Sequence, residues 1–191
     1  KKFFPDLYQY ISSSNTPMVE TAKAIKRRSP SGKIVFIGPC ISKKIEAMDE
    51  EVRPYVDFVI TYEELAAIFV AANIDVAEIE EDEVVADAST KGRNFAFASG
   101  VAASVKESIE KFNPGVEVPT HNANGLSECR KMLMLAKAGK FNGYLLEGMA
   151  CPGGCVGGPG TMLPTEKGEK EAKDFAKKSP YNDVFQNPFL E

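Results

Sequence analysis

The sequence contains no tryptophan, only one histidine and only four cysteines in 191 residues. So few cysteines argue against a disulfide-stapled miniprotein, and a chain of this length does not need such crosslinks. No run of 18 apolar residues occurs, so we expect no membrane-spanning helix and no membrane partner. The net charge is −4, so basic residues are not in excess, which argues against a nucleic-acid partner.

The remaining composition, 43% apolar and 26% charged residues, is that of a globular protein. The first ten residues, KKFFPDLYQY, lack the apolar run of a secretory signal, so we expect a reducing, cytoplasmic compartment. The sequence begins without methionine and ends in Leu190-Glu191. We therefore interpret residues 1–191 as a piece of a longer protein, with residues 165–191 as a C-terminal helical tail.

Short apolar runs bounded by glycine, proline or charge predict strands, because each run is too short for an ordinary helix. These runs are Lys33–Pro39, Asp57–Thr61, Phe95–Ser99 and Phe141–Met149, with Val116–Thr120 as a weaker candidate. Helical spacing of apolar residues predicts helices over Pro17–Arg28, Glu63–Ala72, Val101–Phe112 and Leu126–Ala138. The alternation indicates an α/β fold with a mostly parallel, four- to five-stranded sheet flanked by helices. Ligands of such sheets bind at the carboxyl ends of the strands.

Local charge patterns add three smaller predictions. Thr61 and Glu64 have the spacing of a helix capping box. The acidic segment 75–87 is typical of a solvated helix face or an insertion loop. The Lys- and Glu-rich stretch Thr165–Ser179 predicts an exposed amphipathic helix.

The segment Glu147–Gly160, EGMACPGGCVGGPG, is rich in glycine. Five of the chain's fifteen glycines lie in its second part, Cys151–Gly160. Glycine at this density costs backbone entropy on folding, and a close approach of the backbone to a bulky ligand is the usual reason for it. Amide groups turned toward an anionic iron–sulfur cluster offset its charge and set its potential. The spacing of Cys151 and Cys155 lets two thiolates reach two atoms of one cluster.

Other interpretations of these residues remain open. A phosphate-binding loop would continue with Gly-Lys-Ser/Thr, and a radical-SAM loop would need a third cysteine close behind; neither is present. A structural zinc ion would use Cys40, Cys151, Cys155 and His121, although tetrahedral zinc sites rarely need so much glycine. Otherwise we expect His121 in a loop or cap, and Cys129 as a core thiol on the apolar face of its helix.

The second informative segment is Gly38–Glu46, GPCISKKIE. A helix that begins just after Cys40 places this thiol at the positive end of the helix. Lys43 would then lie on the same face and donate to a ligand bound at Cys40. Glu46, one turn further, would take or give a proton.

Together the two segments resemble the second and third cluster-binding motifs of the [FeFe]-hydrogenase (iron-only hydrogenase) large subunit, in its C-terminal H-cluster domain. Pro39, Cys40, Lys43 and Glu46 match the second motif of that family. The third motif is matched at Glu147, Met149, Ala150, Cys151, Gly153, Gly154, Cys155, Gly157 and Gly158. Asn15-Thr16-Pro17-Met18 is similar to the family's Ser-Pro-Met element, with Thr16 at the hydroxyl position. The resemblance extends over nearly the whole chain.

The resemblance implies a cofactor, the H-cluster, in which a [4Fe–4S] cubane is joined to a diiron subcluster. By position, Cys40 and Cys151 would ligate the cubane, and Cys155 would ligate it and bridge to the diiron unit. Gly153 and Gly154 would belong to the same cofactor-binding loop.

The resemblance also implies four catalytic residues. Lys43 would hydrogen-bond a cyanide ligand of the diiron unit, and Met149 would pack against that unit. Glu46 and Thr16 would lie near the proton path. The implied activity is that of an oxidoreductase of an anaerobe, with H₂ and protons as substrates. Its implied partners are ferredoxin-like electron-transfer domains or signalling domains.

The sequence departs from the family pattern at several positions. The fourth cubane ligand belongs to a first motif, Thr-Ser-Cys-Cys-Pro, which is expected just before Lys1, so we expect the H-cluster to be absent or incomplete in residues 1–191 alone. Gly38 replaces a methionine, and Pro159-Gly160 replaces Gly-Gln. These changes are similar to the family's divergent sensory branch, so the parent protein either turns over H₂ or senses it. A non-catalytic iron–sulfur or zinc module in redox signalling or cluster assembly is the alternative.

Overall fold

The computed structural model describes residues 2–80 and 87–188, and the chain divides into two compact units. Gln9–Ile79 and Gly158–Met162 form the unit that we call the small lobe, and the rest of the chain forms the large lobe. Within the described ranges, no helix is long and apolar enough to cross a bilayer. Residues 81–86 of the predicted acidic segment lie outside the described residues. Asp75, at its start, caps a short 3-10 turn at Val76–Glu78.

The core of the small lobe forms around helix α1 (Pro17–Arg28), which has the predicted bounds. Its proline occupies the first helical position, where the ring's fixed φ is already helical. One face of α1 is buried, and the core that it helps to form consists of Met18, Val19, Ala22, Ile34, Val52 and Val56. Because burial of one large aliphatic side chain contributes about 1.5–3 kcal/mol, this cluster is the main support of the lobe.

Two parallel strands, β1 (Val35–Ile37) and β2 (Phe58–Ile60), lie beside this core. Helix α2 (Ser42–Glu46) follows β1, and α3 (Tyr62–Ala71) follows β2. The predicted capping box is confirmed: Thr61 Oγ1 accepts from the Glu64 amide at 3.2 Å, and Glu64 Oε2 accepts from the Thr61 amide at 2.7 Å. Both strands therefore lead at their carboxyl ends into helix starts, the place where ligands bind in parallel sheets.

Asp57 fastens the beginnings of the two strands to each other. Its Oδ2 accepts from the Ile34 amide at 2.8 Å, and its Oδ1 accepts from Lys33 Nζ at 2.8 Å. Lys26 Nζ lies 3.4 Å from Oδ2. The Lys33 hydrogen bond, followed by that from the Ile34 amide, lowers the pKa of Asp57 from 3.8 to about 2.

The large lobe surrounds two longer parallel strands, β3 (Thr120–Asn124) and β4 (Leu145–Met149). Their register runs from Thr120 opposite Leu145 to Asn124 opposite Met149. The helices of this lobe are α4 (Thr90–Arg93), α5 (Gly100–Phe112), α6 (Leu126–Lys137) and α7 (Thr165–Lys177). The last three lie within two residues of the bounds that the sequence predicts.

The predicted sheet of four to five strands is wrong. The described residues instead form two separate sheets of two strands each, although both pairs are parallel, as expected. Phe95–Ser99 is not a strand: a 3-10 turn occupies Asn94–Ala96, and only an isolated antiparallel bridge joins Phe97 to Gly154. The weaker candidate Val116–Thr120 is displaced, because β3 begins at Thr120 after Pro119, which has no N–H to donate to a ladder.

Candidate functional site

The cysteine loop, Cys151–Gly157, follows β4 in the large lobe. It turns tightly on itself: the Gly154 amide donates to the Cys151 carbonyl at 3.0 Å, and the Gly157 amide donates to the Gly154 carbonyl at 3.1 Å. A 3-10 turn covers Cys155–Gly157. Both cysteines are half-buried. The loop therefore fixes two thiols just after the carboxyl end of β4, where ligands of parallel sheets bind.

Neighbouring segments of the large lobe hold the cysteine loop in place. Asn124, the last residue of β3, accepts the Gly153 amide on its side-chain Oδ1 at 2.8 Å. The Ala98 amide donates to the Gly153 carbonyl at 3.2 Å, beside the Phe97–Gly154 bridge. These contacts come from segments that are 29 to 57 residues earlier in the chain, so the loop conformation depends on tertiary structure.

The glycines of the cysteine loop are required by close backbone packing. Gly154 has a φ of +95°, and a Cβ there would lie 2.6 Å from the Ala96 carbonyl oxygen and 2.7 Å from the Ala98 nitrogen. At Gly157 a Cβ would lie 2.0 Å from the Pro152 carbonyl oxygen. The sequence predicts a close approach of this backbone to a ligand, with the amides turned toward the ligand. The structure instead shows that the amides of Gly153, Gly154 and Gly157 donate to protein acceptors.

In the small lobe, Cys40 comes between β1 and α2, where the predicted helix start lies. The Lys43 amide donates to the Cys40 carbonyl at 3.3 Å, and α2 begins at Ser42. The thiol is half-buried. The preceding residue, Pro39, accepts on its carbonyl from the Gly160 amide at 2.9 Å, a contact within the same lobe. The end of the glycine-rich segment is thereby attached next to Cys40.

Three of the residues that the resemblance assigns to catalysis meet in the small lobe. The Thr16 hydroxyl donates to Glu46 Oε1, and Lys43 Nζ donates to Glu46 Oε2. The Lys43 and Glu46 side chains are each 21% exposed, so water reaches this cluster only in part. The carboxylate thus lies between a hydroxyl and an ammonium. Lys43 Nζ donates one N–H to Glu46. An ammonium has three such donors, so the predicted donation to a ligand at Cys40 stays a prediction.

The fourth such residue, Met149, ends β4 in the large lobe and is half-buried. Its carbonyl accepts from the Gly125 amide at 2.7 Å and from the Cys129 thiol at 3.6 Å. Cys129 also contacts the Ala123 carbonyl at 3.8 Å, and burial raises the pKa of its thiol. Cys129 therefore packs against β3 and β4, but it is half-buried rather than the fully buried core thiol that the sequence predicts.

The prediction that His121 lies in a loop or cap is wrong, because His121 is part of β3. Its ring stacks on Phe141, with the ring centroids 4.4 Å apart. Across residues 2–80 and 87–188, no three His, Cys, Asp or Glu side chains form a group that could hold a metal ion. The chemistry of the thiols nevertheless fits an iron–sulfur cluster, because cysteine sulfur is the ligand that such clusters take. Two of these thiols, Cys151 and Cys155, share one tightly held loop.

Comparison with known proteins establishes the family. The model of the iron only hydrogenase large subunit, C-terminal domain, matches residues 1–159. The chain belongs to this family. Iron hydrogenase 1 of Clostridium pasteurianum is 28% identical over an alignment of 201 positions, which covers 84% of this chain and 35% of that protein. The NADP-reducing hydrogenase subunit HndD of Solidesulfovibrio fructosivorans is 28% identical over an alignment of 238 positions, which covers 98% of this chain and 40% of that protein.

The fold is that of the solved hydrogenase catalytic domains. The [FeFe]-hydrogenase HydA1 of Chlamydomonas reinhardtii superposes with a TM-score of 0.69 at 21% identity, over 97% of this chain and 66% of that one. The chain described here spans about 35% of the length of Iron hydrogenase 1 and about 40% of the length of HndD.

Sequence reasoning did not select two features that the structure shows to be part of the site. One is Asn124, whose side chain holds the Gly153 amide; its position at the end of a strand was the available signal. The other is the backbone of Phe97–Ala98, which pairs with the cysteine loop. No sequence pattern predicts the pairing of Phe97 with Gly154, because the two residues are far apart in the chain.

Proposed function

We propose that this chain is the H-cluster-binding part of a hydrogenase-like oxidoreductase that oxidises H₂ reversibly or senses it. The observation that carries the proposal is the cysteine loop. Two thiols in the family's own motif are held at the end of β4 by contacts with Asn124 and with the backbone at Phe97–Ala98. A rigid support of this kind is what a cluster ligand needs.

In this proposal Cys40, Cys151 and Cys155 would hold the [4Fe–4S] cubane of the H-cluster, and Cys155 would also help to hold the diiron subcluster. The inclusion of Cys40 rests on its place in the family's second motif, which Pro39, Lys43 and Glu46 also match. A cubane takes four protein ligands, and these three motif cysteines supply three of them. We therefore expect residues 1–191 by themselves to be inactive.

When bound, the H-cluster supplies the splitting of H₂ into protons and electrons. The chain's own residues would handle the proton and the surroundings. Glu46 would hold the proton on its carboxylate and exchange it with the Thr16 hydroxyl, with which it shares a hydrogen bond. Lys43 would keep the carboxylate oriented and donate to a cyanide ligand once the cluster is present. Met149 would pack against the diiron unit and exclude water.

The cysteine assignment is tested by metal analysis of the full-length protein that contains this chain. We expect Cys40→Ser, Cys151→Ser and Cys155→Ser each to remove most of the bound iron. Cys129→Ser is the matched control, because this cysteine is also half-buried but lies in neither motif. Iron content that stays the same in all three motif variants would overturn the proposal.

The type of cofactor is tested by infrared spectroscopy of the same protein. A diiron unit with CO and CN⁻ gives bands that neither a cubane nor zinc produces. Bands together with fast H₂ uptake identify a catalyst, and bands with slow turnover identify a sensor. Iron without bands, or zinc, would instead identify the alternative, a non-catalytic module in redox signalling or cluster assembly. Robust H₂ uptake by residues 1–191 alone would contradict the expectation that they are inactive.

The proposal also includes the electron-transfer or signalling partners of the protein and its place in the cell. Electrons would pass to or from ferredoxin-like domains of the parent protein, or a signalling domain would receive the H₂ signal. We place the protein in the reducing cytoplasm of an anaerobe, because thiols stay reduced there and remain available to iron. Cell fractionation of the source organism would check this placement.

A further inference from the structure

Glu147, on β4, makes two hydrogen bonds that neither its motif nor the proposed chemistry explains. Its Oε1 accepts from the Ser99 amide at 2.6 Å, and its Oε2 accepts from the Ala102 amide at 2.6 Å. Both amides belong to the start of α5, where backbone N–H groups have no partner within the helix. Bonds from amides to a carboxylate are charge-assisted and stronger than neutral ones. The carboxylate therefore binds the beginning of α5 firmly to β4.

The segment that Glu147 fastens is the one that pairs with the cysteine loop. Ser99 has a φ of +74°, a left-handed conformation that is costly for a residue other than glycine and persists only where surrounding contacts impose it. The two residues before it contact the loop: Phe97 bridges to Gly154, and the Ala98 amide donates to the Gly153 carbonyl at 3.2 Å.

This contact leaves little room for adjustment. A Cβ on Gly154 would come within 2.6–2.8 Å of the backbone atoms of Ala96, Phe97 and Ala98. The two backbones are thus in direct contact, and a displacement of one must displace the other. Gly153 and Gly154 lie midway between Cys151 and Cys155, so a shift there changes the separation of the two thiols.

We propose that Glu147 is a positioning residue for the cysteine loop. By fixing the amides of Ser99 and Ala102, it fixes the Phe97–Ala98 backbone, and that backbone sets the path of the chain between Cys151 and Cys155. We call the two hydrogen bonds from the Ser99 and Ala102 amides to Glu147 the clamp. Its relevance to a cofactor rests on the proposed function, in which both cysteines ligate the cluster. The clamp itself is a property of the chain without a cluster.

The first test measures amide exchange by NMR in the cluster-free chain. In Glu147→Ala we expect exchange of the Ser99 and Ala102 amides to accelerate by about tenfold or more, the factor that corresponds to losing one hydrogen bond to a charged acceptor. The decisive amides are those of Ala98 and Gly153, which bond to the cysteine loop and to Asn124. A residue that only capped α5 would leave these two unchanged, and that result would overturn the proposal.

Matched variants complete this test. Glu147→Gln keeps the shape and one acceptor oxygen, so it should give intermediate exchange rates, and it decides the matter if Glu147→Ala does not fold. Glu110→Gln removes an equal negative charge, in this case from α5, where Glu110 Oε1 lies 3.7 Å from Lys106 Nζ. This control should leave all four amides unchanged.

The second test follows the cluster in the full-length protein that contains this chain. We expect iron release to a chelator to be severalfold faster in Glu147→Ala than in the wild type or Glu110→Gln, with Glu147→Gln between them. Equal rates in all four proteins would overturn the link to the cofactor. If the wild type takes up no iron, the proposed function fails, and the exchange measurement still decides whether the clamp exists.

Discussion

Alanine at Gly154 should destabilise the large lobe more than alanine at any glycine that shares its φ but has open space around it. Gly115 provides that comparison: its φ is +91°, close to the +95° of Gly154, and a Cβ there would meet nothing within 4 Å. A left-handed conformation costs an L-residue about 1–2 kcal/mol, so Gly115→Ala should lower the free energy of unfolding by roughly that amount.

Gly154→Ala carries the same backbone cost and adds a steric one. The new methyl group would lie 2.6–2.8 Å from three backbone atoms, which cannot rotate away as a side chain would. Forcing an extra carbon into a packed site costs about 1–3 kcal/mol. We therefore expect Gly154→Ala to be less stable than Gly115→Ala by about that amount, which corresponds to a factor of about 5 to 150 in the folding equilibrium.

The assay is urea unfolding of both variants and the wild type, followed by far-ultraviolet circular dichroism. Both substitutions lie in the large lobe, so the same transition reports on each. Equal unfolding free energies for the two variants would refute the reasoning, because they would show that the contact between Gly154 and Ala96–Ala98 does not constrain the loop.

The remaining predictions concern the small lobe. The pKa of Asp57 is lowered from 3.8 to about 2, so its contribution to stability is complete above pH 3.8 and is lost as the pH falls toward 2. In Asp57→Asn, the free energy of unfolding should therefore depend less on pH between 4 and 2, and an unchanged slope in acid titrations would contradict this assignment. Thr61→Ala removes the capping box of α3 and should cost about 1 kcal/mol in urea unfolding. Thr61→Ser keeps the hydroxyl and is the control; equal losses in the two variants would show that the methyl group, rather than the cap, was responsible.

Much of the local structure could be predicted from the sequence, because its determinants are close together in the chain. The proline at the first position and the apolar face of Pro17–Arg28 define α1, and Thr61 with Glu64 defines the start of α3. The position of Cys40 after a strand and before a helix followed from the same kind of local signal. The motif spacing was sufficient to indicate the family, which the match over residues 1–159 confirms.

The errors have a common cause in pairing between distant residues. Phe95–Ser99 has the short, apolar composition of a strand, but among the described residues it forms a single bridge, from Phe97 to Gly154, 57 residues later. The predicted number of strands in the sheet is wrong for the same reason. Contacts across the chain decide which apolar runs pair, and residues 2–80 and 87–188 form two sheets of two strands each. His121 was misplaced because a polar run does not reveal that one of its members stacks on Phe141.

The amino-acid sequence by itself determined the longer helices, the parallel direction of the strands and the motifs that identify the family. Those properties depend on short-range periodicity, on capping and on which side chains the motifs contain. Only the tertiary structure decided what surrounds each of them. It showed Glu46 between Thr16 and Lys43, and the glycines of the cysteine loop packed against the Ala96–Ala98 backbone. Such contacts form only after the chain has folded, because residues that are remote in sequence must first be brought within van der Waals distance.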